Sequence, residues 1–82
     1  MKASEIAILK NQIKAACECM HYYFQLKKNA DTDKDFTNCQ KYQLAYTGSL
    51  EAFNALKEFA ELVGLGGVVY EIEKEVWDEK DN

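Results

Sequence analysis

Apolar residues recur at alternating spacings of three and four along most of this chain. Ile6, Leu9, Ile13, Ala16, Met20 and Tyr23 follow one another in that rhythm without a miss, as they would along a heptad seam on one side of an α-helix. Ile8, Ala15 and Tyr22 widen the seam on one flank, and Cys17 and Phe24 on the other. Asn11, Lys14, Glu18, His21, Gln25 and Lys28 fall opposite and form a polar face. Ser4 followed by Glu5 is an N-terminal helix signal. One helix over residues 4–28 is the reading.

The rhythm resumes after a polar interruption. Cys39, Tyr42, Tyr46, Ser49, Phe53, Leu56, Ala60 and Val63 keep it through "TGS" at 47–49, where glycine and serine would suggest a break. A break would reset the phase, and the phase does not change, so a second helix is expected over 33–63 with Gly48 inside it. Asn29 should lie near the end of the first helix, and Thr32 or Asp33 should cap the second. Gly64 reads as a C-terminal cap. The following "VVYEIEKEVW" alternates like a strand but would have no partner strand in this chain. Val69, Ile72 and Val76 fit one helical face, which predicts a short terminal helix over 67–79. With no proline in the chain, nothing interrupts this all-α reading: a long antiparallel hairpin plus a short C-terminal helix, in a single domain over 1–82. A chain of 82 residues buries only about 60% of its unfolded surface, so assembly into an oligomeric bundle is expected.

Three stretches imitate chemical motifs and fail on geometry. "CECMHYYF" at 17–24 brings Cys17, Cys19 and His21 together in sequence. At about 100° per residue, Cys19 points about 200° away from Cys17 on a helix, so the three cannot converge on one ion. Packing therefore outweighs metal binding for these residues. Asp31, Asp33 and Asp35 resemble the start of a calcium loop, but Phe36 stands where its glycine belongs and Tyr42 where its bidentate glutamate belongs. "GLGG" at 64–67 lacks the third glycine and preceding strand of a dinucleotide-binding turn. No nucleophile has a positioned base beside it. No catalytic residue, metal or cofactor is assigned, and the expectation is a protein that is not an enzyme.

Charge is unevenly distributed. Lysines and acids cancel through residue 70, so the formal net charge of −4 belongs to residues 71–82, an acidic C-terminal segment. Glu71, Glu75, Asp78 and Glu79 should face outward there, toward a basic partner. There is no arginine and no basic stripe, which argues against direct nucleic-acid binding. No apolar run approaches the roughly 20 residues of a membrane span, and the N-terminus lacks a signal-peptide core. A cytoplasmic protein with reduced thiols is expected.

Tyr22, Tyr23, Phe24, Phe36, Tyr42 and Tyr46 gather at the turn end of the expected hairpin. The terminal helix spans only roughly 20 Å, which leaves that end open, and tyrosine suits interfaces. These six residues are the candidate interface. The functional expectation is a small helical protein acting through protein–protein interaction. It would be a homodimer or higher oligomer serving as adaptor or inhibitor against a basic surface, in the manner of small acidic phage or mobile-element proteins. The alternative is an oligomer that sequesters a small ligand such as a nucleotide between subunits. Tyrosines would stack on it, and Lys27, Lys28 or Lys41 would hold a phosphate.

Overall fold

The structure is a computed structural model that describes residues 1–81, with side chains through Asp78. The described residues contain three helices and no strand: α1 (Ala3–Thr32), α2 (Phe36–Leu62) and α3 (Gly66–Asp81). α1 and α2 pack as an antiparallel hairpin, and α3 folds back against both. With 30 residues, α1 is roughly 45 Å long, which accounts for the longest dimension of the molecule, 47 Å. The 16 residues of α3 cover roughly 24 Å of that length.

α2 passes through Gly48 as one helix, so the unbroken apolar phase is the better guide there than the glycine. The helix ends differ from expectation in detail. Lys2, not Ser4, precedes the first turn, and it makes no side-chain cap. Its carbonyl accepts from the Ile6 amide at 3.0 Å. α1 also runs four residues past Lys28, because Thr32 stays helical and its hydroxyl donates back to the Lys28 carbonyl at 3.0 Å. The cap of α2 is Asp35, not Thr32 or Asp33. Its carboxylate accepts from the Asn38 amide at 3.3 Å and from the Asn38 side chain at 2.7 Å.

Both chain reversals use the same device. At the end of α2, Gly64 has φ +82°. The Leu65 amide donates to the Ala60 carbonyl at 2.7 Å, and the Gly64 amide to Glu61 at 3.2 Å. That pair of bonds is a Schellman cap. At the end of α1, Lys34 takes the glycine's place with φ 58°. There the Asp35 amide donates to Ala30 at 2.8 Å and the Lys34 amide to Asp31 at 3.1 Å. Asp35 thus closes one helix with its backbone and opens the next with its side chain.

The core lies between the three helices. It comprises Leu9, Ile13, Cys17 and Met20 of α1, Phe53 and Ala60 of α2, and Val69, Ile72 and Val76 of α3. α1 uses its seam against α2 and the Cys17–Phe24 flank against α3, so α3 sits beside the seam. Among the described residues, two ion pairs straddle it, Lys14 with Glu75 at 3.4 Å and Lys57 with Glu73 at 3.7 Å. All four side chains are well solvated, so these pairs orient α3 more than they stabilise it.

Candidate functional site

Residues 17–24 are divided among three environments. Cys17 is fully buried in the core. Burial pushes its thiol up to about 11, with the carboxylates of Glu73 and Glu18 adding to the effect. A thiol so held is neutral at physiological pH and a poor nucleophile or ligand. Cys19 is exposed and lies 3.5 Å from the Ser49 hydroxyl on α2. Ser49 donates to the Ala45 carbonyl at 2.9 Å, so its oxygen lone pair receives the Cys19 S–H.

His21 corrects the sequence reading. It was expected on an exposed polar face, yet it is 5% exposed, with its ring edge-on to Trp77 at 4.5 Å. The reason is where α3 docks: one rim of the apparent polar face of α1 is its seat, reached by Lys14 and His21. Among the described residues, no group of three or more His, Cys, Asp or Glu is arranged to hold a metal ion. Asp33 and Asp35 serve the α1–α2 reversal as caps, and Asp31 accepts a backbone amide there.

The six turn-end aromatics separate into two groups. Phe24 and Tyr46 are half-buried and joined to α3 by a relay of rings, Trp77 to Phe24 at 5.4 Å and Phe24 to Tyr46 at 5.9 Å. Trp77, one turn before the end of α3, thus ties that helix to the aromatics of the hairpin. Tyr22 and Tyr23 meet edge-on at 5.3 Å, with Tyr22 exposed and Tyr23 and Tyr42 half-buried. Phe36 is largely exposed. Beyond the ring relay lies a shallow apolar groove of about 440 Å³ lined by Lys27, Cys39, Gln40, Gln43 and Leu44. Lys28 and Lys41 are exposed and do not line it.

α3 is two-faced. Val69, Ile72 and Val76 are buried, and Glu71, Glu75 and Asp78 are exposed. Glu79 lies outside the described side chains. Among the described residues, no helix is long and apolar enough to cross a membrane. Comparison with known proteins finds no matching family model, curated protein or solved structure.

Proposed function

We propose that this protein is a non-enzymatic binding protein, a self-associating adaptor or inhibitor that covers a basic surface on another protein. The observation that carries this reading is the outer face of α3, where Glu71, Glu75 and Asp78 are exposed on a helix fixed by three buried residues, Val69, Ile72 and Val76. A preorganised row of carboxylates loses little freedom on binding and steers encounter with positive charge. The exposed ring of Phe36 supplies apolar contact area at the turn end. A small acidic protein of a phage or mobile element blocking a nucleic-acid-binding surface would use these features in this way. The cytoplasm is the compartment proposed, where its three free thiols stay reduced.

The test is a pull-down from the native host to identify the partner, followed by association kinetics. Neutralising Glu71, Glu75 and Asp78 together should slow association several-fold at low salt, with the difference shrinking as salt rises. Association that ignores both the substitutions and the salt would remove the acidic face from the function.

A second reading draws on the groove beside Lys27, which offers an apolar floor and one ammonium to a phosphorylated aromatic ligand such as a nucleotide. An ultraviolet-absorbing compound that co-purifies with the protein, and is lost in Lys27→Ala, would favour it over the first.

A further inference from the structure

The hairpin has two broad faces, and α3 occupies one. The contact between Cys19 and Ser49 marks the other, since Cys19 points about 160° away from His21, which faces α3. Stepping by three and four from Cys19 gives a second row on α1, from Ile8 through Ala15 and Tyr22 to Leu26. The same steps from Ser49 give a row on α2, from Tyr42 through Ala52 to Phe59. Neither row contains a charged residue over these spans, in a chain that is 29% charged. Ile8, Tyr22 and Phe59 stand 58%, 59% and 47% exposed, and none of the residues in either row is buried.

We infer that this face is the seat of a second copy of the chain, packed antiparallel about a two-fold axis that passes near Cys19 and Ser49. Three observations select this occupant. The first is side-chain size along the rows. Small residues (Ala15, Cys19, Ser49 and Ala52) occupy the middle, and large ones (Ile8 with Phe59, Leu26 with Tyr42) occupy the ends. A two-fold axis across the middle brings small against small, allowing close helix approach, and sets Ile8 against the partner's Leu26 and Tyr42 against the partner's Phe59.

The second is register. The α1 row is centred near residue 17 and the α2 row near residues 50–51, and the Cys19–Ser49 contact places those centres at one level along the hairpin. A single axis therefore serves both helices, as an isologous interface requires.

The third is area. Two helices side by side over roughly 40 Å present a footprint of roughly 800 Å², which is what each partner of a standard interface buries. The isolated chain also exposes 5676 Å², against about 5,000 Å² for a compact monomer of its mass. The product is a four-helix core, α1 on α1 and α2 on α2, with one α3 on each outer side. The acidic faces then point away from the interface, where a basic partner can reach them.

This inference rests on the proposed self-association and adds the face that makes it. The test is oxidative cross-linking with copper phenanthroline under dioxygen, read on a non-reducing gel beside light scattering of the unoxidised protein at micromolar concentration. The expected result is a dimer by scattering and a disulfide-linked dimer that survives Cys39→Ser and is lost in Cys19→Ser. Ala52→Glu, at a position exposed in the single chain, should raise the dimer dissociation constant at least about tenfold by placing a charge in the dry interface. Circular dichroism should show its helix content unchanged. A dimer that ignores Ala52→Glu, or that cross-links through Cys39, would overturn this face and leave self-association standing. A protein that stays monomeric at high concentration would overturn both.

Discussion

The two halves of the hairpin share one apolar rhythm and end up differently buried. In the half flanked by α3, Ile13, Cys17 and Phe53 are at most 3% exposed. In the turn half Ala30 is the buried apolar residue, while Phe36 and Leu44 stand 69% and 76% exposed. The difference lies in layers. Two helices in contact cover only the facing stripe of each other, and large side chains need a third element to leave water. α3 supplies that element over roughly 24 Å, and within that span its Trp77 packs on Phe24. The radius of gyration, 14.3 Å, exceeds the roughly 12 Å of a compact chain of this length.

The sharpest way to break this comparison is truncation. Ile13→Ala should cost about 2–4 kcal/mol in urea unfolding, through lost burial and a cavity between three helices. Leu44→Ala and Phe36→Ala should each stay within about 0.5 kcal/mol when the protein is monomeric. Equal losses in both halves would mean that the turn half has a core of its own.

Alkaline pH probes the covered half specifically. The Cys17 thiol titrates near 11 when folded, raised from 9.0 by burial and by Glu73 and Glu18. Its contribution is fully present below pH 9 and is lost as pH rises toward 11, because only the unfolded chain can ionise readily in that window. Wild type should therefore lose roughly 1–2 kcal/mol more than Cys17→Ala across it. Parallel curves would place Cys17 in contact with water.

The two reversals offer smaller effects. Lys34→Gly relieves a left-handed lysine and should stabilise by about 1 kcal/mol. Gly64→Ala installs the same strain and should destabilise by a similar amount. Gly48→Ala should stabilise by up to about 1 kcal/mol, since the residue is helical and an added Cβ meets nothing within 4 Å. A loss at Lys34→Gly would mean that the lysine side chain holds the turn.

Much of this architecture was legible in the sequence because a heptad rhythm reports helix faces directly. It carried α2 through Gly48, and the docking of Val69, Ile72 and Val76 followed from the same spacing. What escaped was the angular position of α3 on α1. His21 reads as solvent-facing beside Lys14 and Lys28, and only the third helix, arriving beside the seam, turns its position into core. A bulky aromatic on α3, Trp77, with Cys17 and Phe24 already widening that flank, was the available signal. Lys34 at positive φ escaped for a different reason. Lysine has no preference for the left-handed region, and the turn is imposed by Asp35, whose amide closes α1 and whose carboxylate caps α2. For the candidate interface, the sequence located the aromatic cluster but not its division. The link from Phe24 to α3 exists only because that helix sets Trp77 beside it.

The central claim is that α3 covers one face of the hairpin within a single chain, leaving the turn end thinly packed, and that a second copy covers the opposite face. Amide hydrogen exchange, measured at concentrations above and below dimer dissociation, tests it most directly. On dilution, residues 22–32 and 36–46 should lose protection at least about tenfold, because local opening there exposes little buried surface in the monomer. Residues 9–20, 53–60 and 69–76 should keep theirs. Protection that is uniform along the hairpin, and indifferent to dilution, would contradict the account.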